Sequence, residues 1–380
     1  MNSERLLMAM TDIDDRLIVD AARCVSVRSS AKRVPLARLA AMAAAMVLLL
    51  GYAVVKWGVE SSNDTLPIIT VSSASEGGWG YEGYMAYDIA DLVSANPWRE
   101  GAEVATLPVY QNVSLRESDA PLLNEMQAVL SETASRLSLN TSEFENGHVE
   151  DDGVEITLVG KSDAVHIAVD TSLGVTVHFK EGVALPSDYH FSHYSTYQEM
   201  CAVADYLQHE YRTLIAFADP QVNIYGGNYT IYGDQGYHLE FFNNAATLTE
   251  ALQNYHFERV GFYCDDEGRL SFIRLFRYDL SKKMGDYPLI TASEAKQALL
   301  RGEYITSVPH DLTGEETVAK VELVYRTGRN EKYYLPYYRF YVEIPDSGNR
   351  APLKDYGTYY VPAVQARYLN VTTWDGSFNG

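Results

Sequence analysis

Ser293 and Lys296 in "SEAK" have the S-x-x-K spacing of a serine nucleophile beside a lysine base, and "RTG" at 326–328 loosely follows K-T-G. The two elements stand only about thirty residues apart, too close for that chemistry. Thr291 followed by Glu294 reads instead as a capping box that opens a helix, with Gly302 near its end. His190 and His193 in "HFSH", with Asp188, carry metal-ligand residue types, but their context "PSDYHFSHYS" reads as a loop with a surface histidine pair. His209-Glu210 lacks the second histidine of a zinc-protease helix. The carboxylates of "CDDEG", residues 264–268, are explained by a hairpin turn. There is no G-x-S-x-G, P-loop or dinucleotide fingerprint. The expectation is a protein without catalytic residues, metal or cofactor.

Tyrosine is the compositional anomaly, with 29 residues against 12 phenylalanines. It clusters in "YGGNYTIYG" and "KYYLPYYRFYV". A tyrosine offers a flat apolar face and a hydroxyl, which suits sugar stacking or a protein interface. Strand propensity on an amphipathic face accounts for the same residues. Tyr337 and Tyr341, on one side of the strand "YYLPYYRFYV", are the candidates for an external partner such as wall glycan. A second candidate surface lies at the N-terminus. Leu6, Met10, Ile13 and Leu17 recur at three- and four-residue steps beside Asp12, Asp14, Asp15 and Asp20. An apolar stripe on so short a helix needs something to pack against. The acids disfavour an anionic membrane, so the two readings are a cytoplasmic protein partner and a marginal tail that only sets topology.

The elements that must position these residues follow from periodicity. A helical pattern over 120–139 precedes "VEITLVG", "AVHIAVD" and "GVTVHFK", which alternate as strands. A second helix over 196–215 precedes strands in "QVNIYGGNYTIYG" and "YHLEFFN", a short helix "TLTEALQNY", and a hairpin about "DDEG". A third helix in "PLITASEAKQALLRGEYI" precedes "AKVELVYRTG", "YYLPYYRFYVEIP" and "YGTYYVPAVQARYL". The fold class is α+β, built from repeated helix-plus-antiparallel-strand units at 111–195, 196–285 and 286–380. Residues 57–110, rich in Gly, Ser and Tyr, read as a partly ordered stalk or as the first piece of the ectodomain.

Residues 39–55, "LAAMAAAMVLLLGYAVV", hold no charge and are flanked by Arg38 and Lys56. At roughly 1.5 Å per residue they reach about 25 Å, near the lower limit for a membrane span. The 38 preceding residues are too long for a signal-peptide n-region, and no A-x-A-like site follows, so 39–56 is expected to be a retained transmembrane anchor. Arg28, Lys32, Arg33 and Arg38 place residues 1–38 in the cytoplasm and the rest outside. Residues 57–380 carry 22 basic and 46 acidic side chains, a formal net charge of −24, which excludes nucleic acid as a partner. Three cysteines, Cys24, Cys201 and Cys264, are too few for a disulfide scaffold.

The third unit, with Ala295, Leu299, Leu300, Val321, Leu323, Tyr325, Leu335, Pro336, Tyr360, Val361 and Ala363, resembles the YycH/YycI-like regulatory domains of Gram-positive bacteria. That resemblance implies an N-in, single-pass protein with an α+β ectodomain that modulates a membrane sensor kinase. It covers about 85 residues. Tyr337 and Tyr338 stand near where that family usually has a tryptophan. The layout of acidic helical stub, single span and ectodomain is also similar to membrane-bound anti-sigma-type proteins, whose zinc signature the stub lacks. The expected function is a non-enzymatic envelope regulator linked to a sensor-kinase or sigma-factor system. The alternative is an extracytoplasmic binding module for wall glycan or another envelope protein.

Overall fold

Alternating β-branched and aromatic residues build sheets, and helices cover them where apolar side chains fall at helical spacing. The computed structural model describes residues 66–72, 81–113, 122–151, 156–310, 312, 314–328, 331–345 and 352–372. The architecture is mixed α+β and dominated by strands. Among the described residues no helix is long and apolar enough to cross a membrane. The expected span at 39–56 and the stub, with Leu6, Met10, Ile13 and Leu17, lie outside those residues.

The largest sheet has eight strands. A meander of β4 (His148–Asp151), β5 (Ile156–Lys161), β6 (Val165–Asp170) and β7 (Val175–Val183) joins a second one. The second comprises β8 (Pro220–Tyr229), β9 (Gln235–Asn243), β10 (Arg259–Cys264) and β11 (Leu270–Phe276). The seam is the antiparallel pair β7–β11, so β4 and β8 are the outer strands. Thus the expected first and second units share one sheet. Alternation specifies which face of a strand is apolar and leaves its neighbours open. Helices α1 (Leu123–Arg136), α2 (Tyr197–Glu210) and α3 (Arg212–Ile215) cover this sheet through Leu130, Val203, Leu207 and Leu214. The pattern predicted over 196–215 breaks at Tyr211, and Ala216 ends α3 in the left-handed region.

The second core gathers the remaining strands. Strands β13 (Val318–Tyr325), β15 (Pro336–Ile344) and β16 (Lys354–Pro362) pair with β2 (Gly83–Ala86). Strand β3 (Thr106–Gln111) lies between β12 (Lys283–Pro288) and β14 (Tyr333–Tyr334). Strand β1 (Ile69–Ser72) runs parallel to β17 (Leu369–Thr372). Three strands therefore come from the stretch expected to be a stalk or the first piece of the folded unit, and their partners lie more than 170 residues away in sequence. Helix α4 (Leu248–Phe257) contacts β9, β10 and β13, while α5 (Ala292–Leu300) packs on β16. The capping box on α5 is formed: Glu294 N donates to Thr291 Oγ1 at 3.2 Å, and Thr291 N donates to Glu294 Oε2 at 2.7 Å. Leu66–Gly380 groups as one compact unit.

The pair Gly226-Gly227 shapes the end of β8. Both have positive φ, +113° and +90°, and a register shift falls between Gly226 and Asn228. A Cβ on Gly227 would stand 1.9 Å from the carbonyl oxygen of Asp91, at the end of the 3-10 turn Ile89–Asp91. Only glycine lets this turn dock on the strand. Gly227→Ala is expected to cost about 3 kcal/mol in urea unfolding, because backbone strain and a backbone clash combine. Gly233→Ala, where φ is +89° but nothing lies within 4 Å, should cost about 1 kcal/mol. Equal losses would mean that the docked turn contributes nothing.

Candidate functional site

Strand β15 is where the expected external tyrosines lie. The structure corrects that expectation: Tyr337 is 1% exposed and Tyr341 6%, so neither ring is available to a glycan or protein outside. The sequence predicts a half-buried strand with Tyr337, Arg339, Tyr341 and Glu343 on its open face. Instead both faces are covered. The Tyr341 ring packs with Ala86, Leu92 and Tyr356, which come from β2, the segment after it and β16. On the same face Arg339 and Tyr341 meet Glu322 of β13, the residue opposite Arg339 in the ladder.

Glu322 is a buried carboxylate with four partners. Arg339 and Lys320 pair with it, the latter at 2.9 Å, and Ser94 Oγ and Tyr341 OH donate to it at 2.9 and 3.2 Å. Burial alone would raise its pKa, but Arg339 and then Lys320 hold it well below the usual carboxylate range. A matching pair occupies the eight-stranded sheet. Arg259 donates to both oxygens of the buried Glu240, at 3.0 and 2.9 Å, and lies over the Phe276 ring. The α4 residues Tyr255 and His256 feel both clusters. Burial, then Glu322, pushes the Tyr255 hydroxyl up to about 12. His256 Nε2 is enclosed without a partner, and burial, then Arg259 and Arg339, lowers the ring well below its ordinary value.

These clusters position the segment Val93–Asn96 between the sheets. Val93 pairs with Gly226 of β8, with N···O distances of 3.0 and 3.2 Å. Ala95 N donates to the Asn223 side chain at 2.8 Å, and Asn96 Nδ2 donates to the Leu323 carbonyl at 3.0 Å. Around this crossing the surface is tyrosine-rich. Tyr87 meets Tyr229 edge-on with ring centroids 4.9 Å apart, and Tyr197 meets Tyr237 at 5.7 Å. Burial, and after it mainly neighbouring Tyr229 and Asp91, raise the pKa of Tyr237, while burial and then Asp91 raise that of Tyr229. Both hydroxyls are therefore available as donors at neutral pH. At the tip of the β8–β9 hairpin, Ile231 and Tyr232 are 72% and 86% exposed. A cleft of about 210 Å³ opens between Val93–Ala95, α2 and β8. It has Tyr197, Cys201 and Asp205 on its helical side. This surface lies partly in "YGGNYTIYG", one of the two tyrosine clusters the sequence marks. The signal that would separate it from the other cluster is the glycine pair, which marks a strand about to be approached by backbone.

Two motifs of the sequence converge elsewhere. The His193 loop reaches the β10–β11 turn, where Cys264 Sγ lies 3.9 Å from His193 Nδ1 and Asp266 Oδ1 lies 3.7 Å from His193 Nε2. The order Cys–His–Asp is that of a thiol nucleophile with an oriented base. The electrostatics oppose it, since burial and the flanking Asp265 and Asp266 push the Cys264 thiol up to about 11. His190 turns away to Glu199, 3.3 Å off. Among the described residues no group of three ligands could hold a metal ion. No family model matches the chain, and no curated protein matches it.

Removing the shared carboxylate should be costly, because Arg339 and Lys320 would stay buried without it. Glu322→Gln is expected to lower unfolding free energy by about 3 kcal/mol. Glu343→Gln, which breaks a more exposed pair with Lys354, should change it by less than about 1 kcal/mol. Urea midpoints decide between them. His256 supplies a pH test. Its folded pKa is depressed, so protonation favours the unfolded chain, and stability is lost as pH falls below the unfolded value of about 6.5. Between pH 7.5 and 5.5 the native protein should lose about 1 kcal/mol more than His256→Phe. Parallel losses would show that His256 is solvated.

Proposed function

We propose that this chain is a non-enzymatic, membrane-anchored envelope regulator. Residues 39–56 hold it in the membrane, and the unit starting at Leu66 stands outside and binds a partner. The N-terminal stub passes the bound state to a cytoplasmic or membrane partner, such as a sensor kinase or a sigma-factor system. The observation that carries the binding part is the tyrosine surface on which Tyr87, Tyr197 and Tyr232 are exposed and Tyr229 and Tyr237 half-buried, with Tyr197 also lining the cleft. Large rings left in water on one face, with polar tips, are the usual material of an interface. The anchor and its orientation are supported by the uncharged run and by Arg28, Lys32, Arg33 and Arg38. Regulation is supported by the YycH/YycI-like pattern of the third unit and by the apolar stripe of Leu6, Met10, Ile13 and Leu17.

Two measurements test this reading. Alkaline phosphatase fused after Gly380 should be active and the same enzyme fused after Arg38 inactive. The opposite pattern would invert the topology. Deleting residues 2–24 while retaining Arg28–Arg38 should preserve insertion yet abolish recovery of the cytoplasmic or membrane partner and alter transcription in the host. Unchanged transcription and pull-down would reduce the chain to an extracytoplasmic binding module.

A further inference from the structure

One side of the eight-stranded sheet packs under α1, α2 and α3 through Leu158, Ile167, Val177 and Ile273. Successive side chains of a strand point to opposite sides, so the residues next to these face away from the helices. On that second side α4 lies over β9 and β10, where Phe242 meets Tyr255. Among the described residues no helix or further strand packs there over β5, β6, β7 and β11. The register sets Lys161 beside His166, His166 beside His178, and His178 beside Phe272. In the next row Ala168, Thr176 and Arg274 stand side by side. Lys180 lies two residues beyond His178 on the same side. Lys161, His178, Lys180 and Arg274 are exposed, and His166 is half-buried.

These side chains leave positive charge without a counter-ion. Lys161 pairs with Glu150 at 2.7 Å, and His148 shares the same carboxylate oxygen at 2.8 Å. Asp170, the acid of β6 on this side, is committed to its own turn, accepting from Ser172 N and Gly174 N at 2.9 Å. Lys180 and Arg274 form no ion pair among the described residues. Arg274 rests on the Phe276 ring, 4.9 Å from its centroid. The rings of His166 and His178 have centroids 6.4 Å apart. Burial, then Lys180, Lys161 and His178, lower the pKa of His166, and only Glu150 opposes them. An imidazole so surrounded holds a second proton only when an anion joins it.

The charge of the whole domain selects the form of that anion. A net charge of −24 on residues 57–380 repels a long uniform polyanion from a distance. A protein that carries its acids in one short segment escapes this, because surface charges beyond about 8 Å are screened at physiological ionic strength. From Lys161 to Arg274 the face spans three strand steps, roughly 14 Å, which an extended segment crosses in about four residues. We propose that the open side of β5, β6, β7 and β11 receives a short acidic segment of a partner protein, whose carboxylates pair with Lys180, Arg274 and the His166–His178 pair. This adds a second surface to the binding role proposed above and rests on that reading only for the partner lying outside the membrane.

The test uses the full chain in non-ionic detergent micelles with rhodamine-labelled (Glu-Gly)4 and (Gln-Gly)4, read by fluorescence anisotropy. (Glu-Gly)4 is expected to bind at least 10-fold more tightly than (Gln-Gly)4. Lys180→Gln and Arg274→Gln should each weaken it at least 5-fold, whereas Lys354→Gln, on the four-stranded sheet, should not. An anion beside His166 and His178 raises their pKa above the free value, so binding takes up protons and affinity rises as pH falls. Between pH 7.5 and 5.5, where the peptide glutamates stay ionised, affinity should rise at least 3-fold. The double variant His166→Gln, His178→Gln should lose that rise, and an unchanged profile would overturn the part given to the histidines. Equal binding of (Gln-Gly)4, or unchanged affinity in both Lys180→Gln and Arg274→Gln, would overturn the site. Polyphosphate that displaces (Glu-Gly)4 at a lower concentration of charge would replace the protein segment by a phosphate polymer. None of these outcomes bears on the phosphatase fusions or the stub deletion, so either idea can fail alone.

Discussion

A carboxylate removed from water must be surrounded by positive charge and hydrogen-bond donors, and Glu322 is the residue that imposes this demand. It stands opposite Arg339 across β13 and β15, takes Lys320 from its own strand, and reaches across to Ser94. The last contact matters most for the architecture. It ties the segment between β2 and β3 to the four-stranded sheet, while Val93 and Ala95 tie the same segment to β8 of the eight-stranded sheet. Glu240 and Arg259 make the corresponding buried pair on the other side, with α4 contacting both sheets. Such pairs add little net stability over apolar packing, but a mispaired alternative would leave a charge stranded, so they select one arrangement of the two sheets.

Tyrosine has two separate duties. Many rings are buried, and their hydroxyls end on backbone carbonyls that no strand satisfies. Tyr287 donates to Pro67, Tyr325 to Pro108, Tyr338 to Ile290 and Tyr359 to His310, at 2.6–2.9 Å. A phenylalanine would fill the same volume and leave those oxygens without a donor, at a cost of about 1–3 kcal/mol each. This accounts for part of the excess of tyrosine over phenylalanine without any external ligand. The other duty belongs to Tyr87, Tyr197 and Tyr232, whose rings remain exposed. Composition alone merges the two populations.

The pairing of distant segments also changes how the N-terminal part of the described chain is understood. β1 pairs with β17, β2 with β16, and β3 with β12 and β14, so residues near the start of this unit complete sheets built from its end. Tyr287 adds a side-chain tie from β12 to the Pro67 carbonyl. Any movement of the segment entering β1 is therefore coupled mechanically to β17 and β12 rather than absorbed by a loose connector.

Local rules made much of this protein legible in its sequence. Helical spacing located α1, α2, α4 and α5, though it ran α2 on past its break at Tyr211, the Thr291–Glu294 box fixed the start of α5, and "DDEG" located the β10–β11 hairpin. These depend on interactions among residues a few positions apart. What only tertiary structure decided is which strands become neighbours and which faces are covered twice. Period-two alternation in β15 marked Tyr337 and Tyr341 as outward, and it could not register that β2 and the segment after it fold back over that side. For the same reason it missed the merging of two units in one sheet. A face is named by its own strand, but burial is conferred by residues a hundred or more positions away.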